Sequence, residues 1–291
     1  MTGYDWAAAE EDKDSWWNRY PNWARLWNLW AGGDEHSEPD RWLGHLLADR
    51  LPVVELAAQR LAFRTRATRF LIDQCGIDQL LVADADLPVP ATAPEVHDLA
   101  HHLNPRARVV YAASDRVVLG HCQAAAETDA ERGGPRCGYV VDGVQAPDRM
   151  FSSAADQLDL NRPVGVLMVT SLDLLNDGEA ARALAAAHDT APGSHLAIAH
   201  LTADSDPYAK GDLRALIAEY TSVTPTLRTR KEIAGFLSGL DMVGPGIVPA
   251  PLWRPEPEAA PAGTLGAGLW CGVARITDPP QRRHRMDGTR W

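Results

Sequence analysis

The chain has 291 residues, a formal net charge of −11, 45% hydrophobic residues and 23% charged residues. This composition is ordinary for a globular protein, and it argues against two classes of function. A duplex-binding protein presents a basic face, whereas the basic residues here cluster only in the tail that contains Arg282, Arg283 and Arg285, so we expect no nucleic-acid partner. No apolar run reaches the ~18 residues that a membrane-spanning helix needs, so we expect no membrane span.

The N-terminus and the cysteines indicate a cytoplasmic protein. The first residues are acidic and lack the basic and apolar regions of a signal peptide. The four cysteines are scattered, without a C-x-x-C pair, which favours reduced thiols over a disulfide framework or a zinc site. His97 and His101 have the i, i+4 spacing seen in metal sites but lack a nearby third ligand. We therefore expect exposed helix histidines and no metal.

Residues 1–50 are unusually rich in tryptophan, with seven of the ten in the chain. Five aromatic residues follow alternating steps of four and three, the spacing of one helix face: Trp16, Tyr20, Trp23, Trp27 and Trp30. Pro21 interrupts this run and predicts a second helix that begins near it. We expect a helical segment that serves as a lid or as a homodimer contact. Indole rings also suit the wall of a ligand pocket, so Trp23, Trp27 and Trp30 are candidate substrate-pocket residues.

The sequence pattern over residues 51–277 predicts one α/β domain. A long amphipathic helix over 51–75 places Arg60, Arg64, Arg66 and Arg69 on its polar side. Thr92 and Glu95 have the spacing of a capping box and predict a helix from there to about Leu103. Short apolar runs then alternate with helical segments, and the strands are expected at 79–84, 107–113, 138–142, 163–170 and 194–200. Helices over 212–220 and 230–240 and a closing strand pair at 245–250 and 269–276 follow, and we expect residues 278–291 to be a disordered tail.

Alternating strands and helices with short connections indicate a doubly wound parallel sheet, whose ligands bind at the carboxyl ends of the strands. Acids follow these predicted strand ends: Asp84, Asp86, Asp115, Asp142 and Asp173. Carboxylates that meet in one crevice repel each other, which raises at least one pKa and creates a candidate general acid or base. The alternative is that they are solvated loop acids or charges at helix N-termini.

Several motifs resemble the actinobacterial S-adenosylmethionine methyltransferases, a family long catalogued as a domain of unknown function. The resemblance covers about residues 20–276, and its most specific stretches are Arg25 to Gly33, Leu87-Pro88, Ala107 to Tyr111, Ala191 to Ser194, His200 to Asp204, Thr226 to Arg230, Pro245 to Pro249 and Trp253 to Pro255. It implies a Rossmann-like class I methyltransferase fold with an N-terminal helical extension.

The resemblance also implies three cofactor contacts, two of which are altered in this chain. The family's glycine-rich turn, roughly D-I-G-T-G-L-P, corresponds to Val82 through Pro88, so Asp84 and Asp86 replace both glycines. The ribose-binding acid that ends the second strand corresponds to Ala113, although Asp115 lies two residues on. Asp142 corresponds to the acid near the adenine.

Two further positions depart from the family. Asp173 stands where relatives usually carry histidine. Asp34 follows Gly32-Gly33 where relatives usually have lysine, a reversal of charge on the substrate side.

Three hypotheses follow, and the first two involve a small-molecule substrate. In the first, no cofactor binds, and Asp84, Asp86 and Asp173 catalyse an acid/base cyclisation, rearrangement or dehydration in specialised metabolism. In the second, the protein is an S-adenosylmethionine-dependent methyltransferase with an atypical loop, and Asp115 and Asp142 contact the cofactor. In the third, it is a non-catalytic pseudo-methyltransferase that binds a partner through its aromatic face.

Overall fold

The computed structural model describes residues 20–89, 91–131, 137–202, 204, 217–221, 224–256 and 268–277. The predictions for residues 1–19, for 212–216 of the helix expected over 212–220 and for the tail at 278–291 lie outside these ranges. Trp16, the first residue of the predicted aromatic stripe, is among them.

Eight helices in the described ranges carry labels here. They are α1 (Trp23–Trp30), α2 (Glu38–Ala48), α3 (Val53–Arg69), α4 (Val96–Leu103), α5 (Arg116–Glu131), α6 (Pro147–Ala154), α7 (Asp177–His188) and α8 (Arg230–Phe236). Helix α1 begins two residues after Pro21, near the start that the sequence predicted, because Asn22 caps it by accepting a hydrogen bond from the Ala24 amide. A π-helical turn, Phe70–Gln74, extends α3.

The strands are β1 (Gln79–Ala83), β2 (Arg108–Ala112), β3 (Gly138–Val140), β4 (Gly165–Val169), β5 (His195–Leu201), β6 (Asp241–Met242), β7 (Val248–Pro249) and β8 (Leu269–Arg275). They form one sheet in the order β3-β2-β1-β4-β5-β8-β6, with β7 also paired to β8. Strands β1 to β5 run parallel, and β8 runs antiparallel to β5. The order reverses between β1 and β4, the point at which ligands bind in doubly wound sheets.

Apolar side chains pack on both faces of the sheet. Every residue of β1 and β4 is therefore buried, without alternation between buried and exposed side chains. One core cluster contains Phe63 and Leu71 with one face of the sheet, and a second contains Met150 and Leu184 with the other face. A third cluster joins Trp23, Trp27 and Trp30 of α1 to α2 and to the start of α3. The N-terminal helices therefore pack directly against the α/β domain.

Two local predictions are wrong, for physical reasons that the structure shows. Thr92 does not cap a helix, because its hydroxyl donates to the Ala31 carbonyl at 2.7 Å, and α4 begins only at Val96. His97 is buried, and its Nδ1 lies 2.8 Å from the Tyr111 hydroxyl. Long-range partners thus outweigh the local patterns in this segment.

None of the helices within the described ranges is long and apolar enough to cross a membrane.

Candidate active site

A cavity of about 520 Å³ opens at the carboxyl ends of β1, β2 and β4. This volume lies within the ~300–1,000 Å³ range of small-molecule sites. The residues that end these strands supply its floor, among them Ala85, Ala113 and Ser171. Pro21, Trp23 and Trp27, in and just before α1, form a side wall. The architecture thus places a ligand-sized space at the switch point of the sheet.

Asp84 follows β1 and projects a carboxylate into this cavity. It adopts a φ of 66°, in the left-handed region that glycine occupies readily and other residues occupy at a cost. Its Oδ1 would lie 3.0 Å from a Cβ added at Gly143, so the absence of a side chain at Gly143 makes room for the carboxylate. Aspartate therefore preserves the glycine-like turn and places its side chain over the neighbouring strand ends.

Burial raises the pKa of Asp84 to about 7, and the negative charge of Asp86 adds to this effect. Arg60 opposes the shift, and Asp115 contributes a smaller increase. No hydrogen-bond donor in the described part of the chain reaches the Asp84 carboxylate. The cavity therefore contains a carboxyl group that exchanges its proton near neutral pH.

Asp86, two residues further on, is held by two arginines of α3. Arg60 forms a hydrogen-bonded ion pair with Asp86, and an Arg64 nitrogen lies 3.8 Å from the other carboxylate oxygen. Arg64 also lies 3.5 Å from Glu95. The charge of Asp86 is thus balanced inside the protein.

Arg60 connects the acidic loop to the opposite side of the cavity. Its Nε donates to the hydroxyl of Thr170, which follows β4 and itself has a φ of 63°. Its guanidinium lies 4.8 Å from the centre of the Trp27 ring, within cation–π range. Arg60 therefore fixes the relative positions of α1, the β1 loop and the end of β4.

The sequence interpretation missed Arg60 and Arg64 as site residues because it assigned them to a polar, solvent-facing side. Their exposed fractions are only 3% and 4%. The available signal was that Arg60 and Arg64 lie one helical turn apart in a chain that also has two aspartates at glycine positions. Arginine is seldom buried unless it is paired with an acid.

Asp115 lines the cavity but is already engaged. Its Oδ1 accepts a hydrogen bond from the Val117 amide at 2.8 Å, which caps α5. The remaining two aspartates do not line the cavity, so the expectation that all five meet in one crevice is wrong for Asp142 and Asp173. Asp142 pairs at 2.9 Å with the exposed Arg149 instead.

Asp173 is a buried structural residue. Its Oδ1 lies 2.8 Å from Nδ1 of His200 and accepts a hydrogen bond from the Leu201 amide at 3.2 Å. The other nitrogen of the His200 ring lies 2.8 Å from Arg228, which also binds the carbonyls of Leu172 and Leu175. This cluster ties the segment after β4 to β5, and it gives Asp173 no access to a substrate in the cavity.

The four pocket candidates of the N-terminal segment separate into two pairs. Trp23 and Trp27 line the cavity, as expected. Trp30 packs edge-on against both at 6.3 and 5.3 Å and donates to the Gly44 carbonyl, so it supports the wall from behind. Asp34 is exposed and does not line the cavity.

The strand order, the antiparallel β8 between β5 and β6 and the cavity at the switch point together define a class I methyltransferase fold. A family model described as S-adenosyl methyltransferase matches residues 9–277. The chain belongs to this family.

Two solved structures support the assignment. A DUF574 family protein from Streptomyces avermitilis is 27% identical, with a TM-score of 0.78 over 89% of this chain and 98% of that one. A protein from Thermobifida fusca, provisionally assigned as a methyltransferase, is 29% identical, with the same TM-score over 89% of this chain and 96% of that one. No curated protein sequence matches the chain.

Membership of this family implies binding of S-adenosylmethionine, so the expectation that no cofactor binds lacks support. That expectation rested on the replacement of both glycines of the turn by Asp84 and Asp86 and of the ribose-binding acid by Ala113. Arg60 and Arg64 balance the charge of Asp86, so one of the two added carboxylates is neutralised inside the protein.

Proposed function

We propose that the protein is an S-adenosylmethionine-dependent methyltransferase that acts on a small organic molecule. The observation that carries this proposal is the charge pattern of the cavity at the carboxyl ends of β1, β2 and β4. Among the described residues, three carboxylates line it, together with Arg60 and Arg116. S-adenosylmethionine carries two positive groups and one carboxylate, so its charges complement this lining.

The residues of the cavity fit the cofactor, and each contributes a separate binding function. The acidic lining favours the ammonium and sulfonium groups, and the positive charges of Arg60 and Arg116 favour the carboxylate. Trp23 and Trp27 exclude water from one side. When bound, the cofactor supplies an electrophilic methyl group, and the chain's own task is to orient it beside the substrate.

Isothermal titration calorimetry with S-adenosylmethionine and S-adenosylhomocysteine tests this proposal. We expect micromolar dissociation constants for the native protein. Ser114 lines the cavity and is exposed, so S114W blocks the cavity without disturbing the core and abolishes binding. The matched control V54W adds the same ring at an exposed position of α3 outside the cavity and leaves binding intact. Absence of binding to the native protein at millimolar ligand would refute the proposal.

A second candidate function is an acid/base cyclisation, rearrangement or dehydration without the cofactor. The pKa of Asp84 favours it, because a carboxyl group that titrates near 7 both donates and accepts protons at neutral pH. Under this hypothesis Asp84 moves a proton on a substrate that lies against Trp23 and Trp27. Mass analysis of the product separates the two functions, since gain of a methyl group from bound S-adenosylmethionine excludes the second.

A further inference from the structure

Three carboxylates line the cavity, and two of them already have partners. Asp86 is paired with Arg60 and Arg64, and Asp115 caps α5 through the Val117 amide. Asp84 receives no hydrogen bond within the described part of the chain. It is therefore the carboxylate that a ligand in this cavity can engage fully.

The Asp84 side chain extends from β1 toward the neighbouring ends of β2 and β3. The amide of Ala85 donates to the carbonyl of Ala112 at 2.8 Å, which holds the loop against β2. The point where a Cβ on Gly143 would lie is 3.0 Å from Oδ1 of Asp84 and 3.1 Å from the Ser114 backbone nitrogen. Oε1 of Gln145 lies 2.6 Å from the same point, so Gln145, Asp84 and the Ser114 amide surround one small space.

In doubly wound sheets that bind nucleotide cofactors, the ribose lies at the end of the second strand. That strand is β2 here, and Asp84 lies beside its end because the Ala85 amide is bonded to Ala112. The nucleoside of a bound S-adenosylmethionine therefore lies beside Asp84. Its two vicinal hydroxyls are hydrogen-bond donors, and a carboxylate accepts a bond from each through its two oxygens.

We propose that Asp84 binds the ribose hydroxyls of the cofactor and so replaces the acid that Ala113 cannot supply at the end of β2. The acidic group has moved from one strand end to the next, and Gly143 provides the space that it needs. This inference rests on the proposed function. It also accounts for an aspartate at a left-handed backbone position that glycine occupies without strain.

The test measures binding rather than methyl transfer. Calorimetry compares S-adenosylhomocysteine with its 2′,3′-dideoxy analogue on the native protein and on D84N, which keeps the side-chain size and tolerates positive φ. We expect the native protein to prefer the hydroxylated ligand by about 10- to 100-fold and D84N to lose most of that preference. The control D156N changes an exposed acid in the turn after α6 and leaves both affinities unchanged.

The outcomes separate the two proposals. If the native protein binds both ligands equally, or if D84N weakens both by the same factor, Asp84 does not bind the ribose, although the proposed function stands. If the native protein binds neither ligand, the proposed function itself fails. Equal binding of the two ligands by the native protein refutes the proposal without any variant, and loss of the preference in D84N assigns the hydroxyl contact to Asp84.

Discussion

At the scale of single residues, Asp84 combines two unfavourable features. Its backbone is left-handed, and burial raises the pKa of its carboxyl group to about 7. The two features lie on one side chain that lines the cavity, and such concentrations of strain are typical of functional positions. The position therefore costs stability in the free protein.

The first prediction concerns how this cost depends on pH. The pKa of Asp84 is raised from 3.8 to about 7 on folding, so between these values the folded state binds more protons than the unfolded state. Stability contributed by this site then falls as pH rises through that window and remains low above it. We expect D84N to be more stable than the native protein at pH 8 by about 2 kcal/mol, with a smaller difference at pH 5.

Urea denaturation of the ligand-free protein at both pH values measures this difference. Asp86, Asp115 and Arg60 are the charged groups that act on Asp84, and they are the same in both proteins. An equal difference at pH 5 and pH 8 would show that the carboxyl group of Asp84 keeps an ordinary pKa.

The residues also show what sequence patterns can and cannot predict about the site. Asp84 and Asp115 are recognisable because each follows an apolar run that forms a buried strand. Asp173 follows a strand in the same way, yet the chain turns inward there and buries the side chain against His200. A pattern along one strand predicts where the strand ends, but it does not contain the direction of the turn that follows.

At the scale of secondary-structure elements, the position of α1 depends on a buried ion pair with α2. Asp40 is fully buried, and its carboxylate accepts bonds from Arg25 at 2.6 Å and from the amide of Asn22 at 2.9 Å. The same carboxylate accepts a bond from the Ser37 amide as part of the α2 capping box. One side chain thus fixes the beginnings of both helices, and α1 carries the wall of the cavity.

The second prediction is that D40N destabilises the protein by about 3 kcal/mol, because it leaves the buried charge of Arg25 without its counter-ion. Denaturant unfolding measures the loss. The control is D78N, which removes an exposed pair in which Asp78 lies 2.7 Å from Arg162. We expect it to cost far less than D40N, because water screens an exposed pair. Equal costs for the two variants would mean that burial of the Arg25–Asp40 pair adds nothing.

Helices α1 and α3 illustrate the limit of helix prediction. The start of α1 after Pro21 and the helices described in the N-terminal segment are predictable, because proline and a capping residue act locally. The inward direction of Arg60 and Arg64 is not, since it depends on where the β1 loop brings Asp86. Elements follow from local chemistry, whereas the face that each one buries follows from its partners.

At the scale of the whole molecule, the tryptophan-rich segment shares its core with the α/β domain. Trp23, Trp27 and Trp30 form one cluster with Val53 and Ala57 of α3, and Arg60 of the same helix lies over Trp27. If the N-terminal segment detached, the apolar side chains of this cluster on the segment and on the domain would both be exposed to water. We therefore expect the two to unfold together.

The third prediction follows from this shared core. Seven of the ten tryptophans lie in the first 42 residues, so tryptophan fluorescence reports chiefly on the N-terminal segment, whereas far-UV circular dichroism reports on all helices and strands. We expect both signals to change at the same urea concentration. Saturation with S-adenosylhomocysteine at 100 times its dissociation constant should move both midpoints upward together, since it stabilises the folded state by about 2.7 kcal/mol. A fluorescence transition at lower urea would instead show that the N-terminal helices detach before the α/β domain unfolds. In that case a ligand that binds the domain alone would separate the two midpoints further.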